Sequence, residues 1–375
     1  VTPPPSAPPA AGGRARLYRT ARTAHLERAA TLPPALLLFD EARYDFDPEL
    51  ARRVGAVQVG ALGAARLVGR AGVTTLEVNE PALLDGARRT AVTLAWLGLR
   101  ALLGRARPVV VTYAIDNLDP RDVREPGLRR RLARRVDLAL ARFVWSRCDR
   151  VAFGTPAAER MYAQAFPRHR RPLRTTVVPA LPEPCGCVGD EPRAGAVFLG
   201  AFADRKGLPL LAAAWPHVAR ELPGARLTLV GKGPLEPLAR ELAQRADVDL
   251  LVDPPRDRIH AVLRSAQVLV LPSRRTARWR EQVGLPIVEG LAHGCTVVTT
   301  SETGLADWLD AHGHHVVPDD GRAETVAEAL AAALRTVRDP ASVRADLPTA
   351  DGRLAADAWM FADGDRAQPM GSGTA

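Results

Sequence analysis

Residues 266–304 read AQVLVLPSRRTARWREQVGLPIVEGLAHGCTVVTTSETG. Val268 to Leu271 is a short run of apolar side chains, the composition of a strand buried on both faces, and Cys295 to Thr300 is a second run rich in β-branched residues. Between them Pro286 stands where the first turn of a helix tolerates a proline, and Gly294 stands where such a helix stops. The stretch therefore predicts a parallel strand pair joined by a short helix. Open α/β sheets bind their ligands at the carboxyl ends of such strands. Glu281 falls in the loop before the helix and Glu289 one turn inside it. Both carboxylates would face a ligand whose anionic part sits on the amides near Gly284 and Leu285. Hydroxyls of a sugar or a ribose suit ionised carboxylates placed beside an anion site.

Glu281 and Glu289, with seven residues between them, resemble the paired glutamates of the retaining nucleotide-sugar glycosyltransferases with two Rossmann-like domains. This is the large family that includes sucrose synthases and phosphatidylinositol mannosyltransferases, glycosyltransferase family 4. Gly284, Pro286, Gly290 and Gly294 fit the same pattern. The resemblance implies an α/β protein of GT-B type, two doubly wound domains facing across a cleft. It further implies a nucleoside-diphosphate sugar as donor, no required cofactor, no metal, and transfer to an acceptor hydroxyl or amine with retention of configuration. It is strong over roughly residues 193–310. In the first half it holds only as a general pattern of strands and helices.

Alternating short strands and helices support that layout. At 375 residues the chain is long enough for two cores. The span from Glu183 to Arg193, with its Pro, Gly and Cys residues, reads as a linker. The expected division is a tail at 1–13, an acceptor-binding domain at 14–185, a linker at 186–192 and a donor domain at 193–350. A helix at 351–363, which in the resembled family crosses back to the first domain, and a tail at 364–375 complete it. Arg14 to Ala30 is compatible with a basic helix or an extended arm, and Ala35 to Phe39 is the first secure strand. Pro108 to Tyr113 is the clearest strand of the first half, followed by Ala114, Asp116, Asn117 and Asp119 at a functional position.

Composition narrows the function. The opening VTPPPSAPPAAGG lacks the apolar core of a signal peptide and is expected to be an unstructured tail, and no run of 18 apolar residues exists. A cytoplasmic enzyme, at most peripheral at the inner face of a membrane, is the expectation. The cysteines, Cys148, Cys185, Cys187 and Cys295, are too few for a disulfide framework. Cys185 and Cys187 have no second pair at metal spacing, and neither do His312, His314 and His315. His293 is expected to cap or pack at a helix end. All but Lys206 and Lys232 of the 51 basic residues are arginine, the mark of a GC-rich genome of actinobacterial type. Residues 1–190 carry 30 basic and 18 acidic side chains, a net of +12, while residues 191–375 carry 21 and 24, a net of −3. Nucleic-acid binding is disfavoured, since aromatic residues do not interleave with the basic ones.

The chemistry needs a cation near the leaving diphosphate. Lys206 matches the lysine of the family's phosphate loop after Gly200, whereas the family's arginine position is Ala201, leaving Arg205 as a substitute. Lys232, in a glycine-flanked turn, is a secondary candidate near the donor. Glu289 is assigned to the ribose and Glu281 to the transferred sugar. In the first half, where many members have a histidine, this chain has Ala114, so Tyr113, Asp116 or Asn117 would fill that space. Ala114 and Ala201 motivate the alternative of a donor-binding protein without transfer activity. A sugar-nucleotide epimerase or a glycan phosphorylase shares the two-domain plan. Two acceptor classes fit the basic half, an anionic lipid-linked saccharide and a soluble secondary metabolite in antibiotic assembly. The apolar face of the Arg129–Arg150 helix is expected to pack on its own sheet, so membrane insertion is not implied. The absence of a long hydrophobic loop that would take a lipid tail, together with the actinobacterial composition, favours the soluble acceptor.

Overall fold

The computed structural model describes residues 11–43, 45–169, 172–187 and 192–362. The chain divides into two compact units. One comprises Val1–Gly154, Glu159–Val178 and Arg353–Ala375, and the other Thr155–Ala158 and Pro179–Gly352. The N-terminal and C-terminal tails, beyond residues 11 and 362, lie outside the described residues, as do Arg170 and Arg171 of the basic loop and part of the expected linker.

The first unit holds strands β1 (Arg14–Ala21), β2 (Leu36–Ala42), β3 (Val57–Gln58), β4 (Thr75–Val78), β5 (Val109–Ala114), β6 (Arg150–Phe153) and β7 (Arg174–Val177). They form one parallel sheet in the order β3-β2-β1-β4-β5-β6-β7. The second unit holds β8 (Ala196–Leu199), β9 (Leu227–Gly231), β10 (Val248–Val252), β11 (Val268–Leu271), β12 (Thr296–Thr300) and β13 (His315–Val317). These are ordered β10-β9-β8-β11-β12-β13, again all parallel. Both sheets reverse direction of growth beside their first strand, the doubly wound arrangement that opens a ligand crevice at the switch point. In the second unit that point lies between β8 and β11, whose residues are all buried.

Strand β1 corrects the sequence reading of Arg14 to Ala30. It is an interior strand of the first sheet, between β2 and β4, and a helix, Thr23–Thr31, follows it. Arginines at 14, 16 and 19 hid a strand whose Ala15 and Leu17 are fully buried. Arg16 is itself only 1% exposed. Its guanidinium meets Glu77, its register partner on β4, at 3.1 Å and Asp357 at 2.6 Å. Arg353 completes the group at 2.5 Å from Glu77. Two guanidiniums and two carboxylates cancel in charge, the condition under which buried ions persist. Asp357 and Arg353 lie on the Gly352–Met360 helix, which belongs with the first unit except for Gly352 itself. Ala356, Met360 and Phe361 pack there on Val111 and Ala152, with Tyr113 against them.

A second correction concerns the arginine-rich helix, Leu128–Trp145. Only Ala141, Val144 and Trp145 are buried, whereas Leu128, Leu132 and Val136 are 82%, 61% and 46% exposed. The helix outruns its sheet. Its 18 residues span about 27 Å, whereas the four residues of β6 span about 13 Å. The apolar positions of the first turns therefore have no strand to cover.

Candidate active site

The loops leaving β8 and β11 meet at the switch point of the second unit. Leu199 leads through Gly200 into a single 3-10 turn, Asp204–Lys206, and then Gly207 opens the Leu208–Glu221 helix. Gly207 has φ +76°, and a Cβ there would lie 1.9 Å from the carbonyl oxygen of Pro272, the first residue after β11. Glycine thus lets the two loops touch. Their contact brings Lys206 Nζ to 2.5 Å from Glu281 Oε2, with both residues buried. Ser273 Oγ donates to the same carboxylate oxygen at 2.8 Å, and the amide of Gly304 donates to the Glu281 carbonyl at 3.1 Å.

Arg205 lies beside this pair, its guanidinium 4.5 Å from the centre of the Trp279 ring, and Lys206 Nζ lies 5.2 Å from the same ring. An indole face attracts both cations and holds them at the crevice. Ser273 and Trp279 were missed in the sequence. A serine just after a strand and a tryptophan among four arginines carry no spacing signal.

The Leu285–Ala292 helix begins at Gly284, φ +83°, with Pro286 in its first turn. Its first amides have no acceptor within the helix and point to the crevice end of the sheet. Leu285 is exposed. Glu289 does not join Glu281 and Lys206. Its Oε1 lies 2.7 Å from Arg256, the first residue of the Arg256–Ser265 helix, with the Arg256 side chain 66% exposed. Lys232 is drawn to Asp253 at 2.7 Å, across the mouths of β9 and β10. Gly200 directly follows β8, with the carbonyl of Val230 accepting its amide hydrogen at 3.0 Å.

In the first unit the loop after β5 is held by Glu80. The amides of Ile115 and Asp116 each donate to Glu80 Oε2 at 3.0 Å, and the Tyr162 hydroxyl donates to it at 3.3 Å. Burial, and then the charge of Asp116, push the Glu80 carboxyl up to about 8. Asp116 Oδ1 accepts the amide hydrogen of Leu118 at 3.0 Å, closing a turn. Asn117 is 4% exposed. Tyr113 faces elsewhere, its ring 5.2 Å from the guanidinium of Arg353, so it does not fill the space beside Ala114. Asp47, two residues after Asp45, caps the Pro48–Arg53 helix by accepting the amide hydrogens of Glu49 and Leu50.

Residues 193–336 match the family model described as glycosyl transferases group 1. No curated protein sequence matches the chain. Among solved structures it is similar to HepE of Anabaena, crystallised with UDP, at 14% identity and TM-score 0.62, covering 93% of this chain and 95% of that one. It is similar to WaaG, a glycosyltransferase of lipopolysaccharide biosynthesis, at 16% identity and TM-score 0.59, covering 93% and 100%. The lipopolysaccharide outer core galactosyltransferase WaaB matches at 11% identity and TM-score 0.63, covering 92% and 98%. These likenesses establish the GT-B fold, two Rossmann-like units in one chain. Among the described residues no helix is long and apolar enough to cross a membrane.

Proposed function

We propose that the protein is a glycosyltransferase that moves a sugar from a nucleoside-diphosphate sugar, held by the second unit, to an acceptor hydroxyl or amine. The observation that carries this reading is the buried Lys206–Glu281 pair at the switch point between β8 and β11. Cleavage of the glycosidic bond leaves a diphosphate, and a cation fixed before the reaction stabilises it without reorganisation. Lys206 supplies that charge, Arg205 adds to it, and the first amides at Gly284 and Leu285 take the remaining phosphate oxygens. Glu281 presents its second carboxylate oxygen to the sugar hydroxyls. Glu289 takes the ribose hydroxyls, exchanging its contact with Arg256 for them. Gly200 permits close approach of the nucleotide, and Lys232 lies at its edge. Asp116 and Asn117 face the acceptor, and transfer proceeds with retention and without a catalytic divalent cation.

The first turns of the Leu128–Trp145 helix leave uncovered the apolar face that was expected to pack on its own sheet. With Leu128, Leu132 and Val136 exposed among Arg129, Arg130, Arg131, Arg134 and Arg135, an anionic lipid-linked saccharide is the acceptor class that this surface supports. A panel of nucleotide sugars, with release of nucleoside diphosphate followed with and without acceptors, tests the activity. Tight donor binding without release, for any acceptor, would instead identify a donor-binding protein, the reading suggested by Ala114 and Ala201.

A further inference from the structure

Cys185 and Cys187 are far in sequence from His260 and His293, yet the ligating atoms of all four lie within 4.8 Å of one another. Cys187 Sγ is 2.6 Å from Cys185 Sγ, 3.3 Å from His293 Nε2 and 3.7 Å from His260 Nδ1, and the two ring nitrogens are 2.9 Å apart. The orientation of His293 is settled by its other nitrogen. Its Nδ1 lies 2.7 Å from the Glu289 carbonyl oxygen, which can only accept, so Nδ1 carries the proton and the Nε2 lone pair points into the cluster. A carbonyl behind a ligand histidine is the usual outer contact of a metal site.

We infer that these four residues form a structural zinc site. Two thiolates and two imidazoles in one cluster are a zinc donor set, and four protein ligands leave no position for a substrate. Binding releases the two thiol protons. Two thiolates and two neutral imidazoles cancel the charge of Zn2+, so the nearby guanidinium of Arg193, which donates to the His293 carbonyl, meets no net charge. Two thiolates on one tetrahedral zinc lie about 3.7 Å apart, given Zn–S bonds of about 2.3 Å. Opening the sulfur pair to that distance falls to Cys187, the exposed member of the set.

The site would join three segments of the second unit. Cys185 and Cys187 come from the chain that enters it, and the Cys185 amide already donates to the Ala292 carbonyl at 2.9 Å. His260 lies four residues after Arg256, and His293 four residues after Glu289. The two helices therefore meet at an ion pair and, one turn further on, at the histidine pair. Zinc there would fix the spacing of the helix that carries Glu289. This inference does not depend on the activity proposed above.

The test is metal analysis of the full chain, prepared under reducing conditions, loaded with Zn2+ and desalted. About one zinc per chain is expected. Replacement by Co2+ should give the intense visible bands of a tetrahedral thiolate site. Cys187→Ser and His260→Gln should lose both signals, and Cys148→Ser, at a buried thiol of the first unit, should keep them. A chelator should lower the melting temperature of the wild type by roughly 5 °C or more and leave that of Cys187→Ser unchanged. A chain that keeps no zinc and gives no cobalt spectrum would overturn the site. A Cys185–Cys187 disulfide in a metal-free chain with an unaltered melting temperature would do so as well.

Discussion

Lys206 and Glu281 are a poor pair to probe one at a time, because each is the counter-charge that lets the other be buried. Lys206→Ala or Glu281→Ala should each cost about 3–5 kcal/mol, and the double variant less than their sum. Urea unfolding of the three variants measures this, and full additivity would mean that the two groups do not depend on each other. Glu289 is the cleaner probe of donor binding, since its partner Arg256 is largely exposed and such pairs contribute about 0–1 kcal/mol. Glu289→Ala should lower kcat/KM for the nucleotide sugar about tenfold or more with little change in melting. Wild-type kinetics at saturating acceptor would remove Glu289 from the donor site. Glu80 gives a pH signature. Its carboxyl is raised from 4.5 to about 8 in the folded chain, so between those values the native state holds a proton that the unfolded state has lost. Stability contributed by the neutral acid is complete below pH 4.5 and is lost as pH rises toward 8, by up to about 1.4 kcal/mol per pH unit. Glu80→Gln should flatten that slope in unfolding experiments from pH 5 to 8. An unaltered slope would show that Glu80 ionises normally.

At the scale of elements, the loops after β8 and β11 form one device, and Gly207 is where they touch. Gly207→Ala combines a left-handed backbone with a Cβ 1.9 Å from the Pro272 carbonyl oxygen. It should cost at least about 2 kcal/mol and weaken the donor, because Lys206 would be pushed from Glu281. Stability and donor affinity equal to wild type would mean that the loops separate freely. The Leu285–Ala292 helix was legible in the sequence because a proline start, a glycine stop and flanking apolar runs are local signals. Strand β1 was not, because its buried Arg16 is tolerable only in the presence of Glu77 and Asp357. The Leu128–Trp145 helix shows the opposite failure. Its apolar stripe is regular, but nothing in that regularity says how far the neighbouring strands extend.

For the whole molecule, charge and surface act together. The basic first half with its exposed leucines should draw the protein to anionic membranes, at roughly 1 kcal/mol per nearby basic residue. Flotation should show binding to anionic but not neutral vesicles at ~0.05 M salt and its loss at ~0.3 M salt. Binding should also be lost when Arg129, Arg130, Arg131 and Arg134 are all changed to Gln. Absence of binding at low salt would return the acceptor to the soluble class. Chelation bears on catalysis separately from the zinc site. Turnover below the melting temperature should survive removal of added Mg2+ or Mn2+. Complete loss, restored by Mg2+ or Mn2+ alone, would contradict a metal-independent reaction.

The apolar runs at β11 and β12, the proline and glycine between them, and the alternation of strands and helices determined a doubly wound α/β chain from sequence alone. Local placement marked Glu281 and Glu289, and the family resemblance marked Lys206, each one by one. Only the tertiary structure decided that Lys206 pairs with Glu281 while Glu289 pairs with Arg256. It alone placed Arg16 beside partners 61 and 341 residues away, and it alone brought two cysteines and two histidines into one cluster. The physical reason is the range of the forces read. Backbone preference and hydrophobic period act within a few residues, and a sequence displays them directly. A buried charge or a ligand set is stable only when distant groups arrive together, and the folded sheet order decides which groups those are.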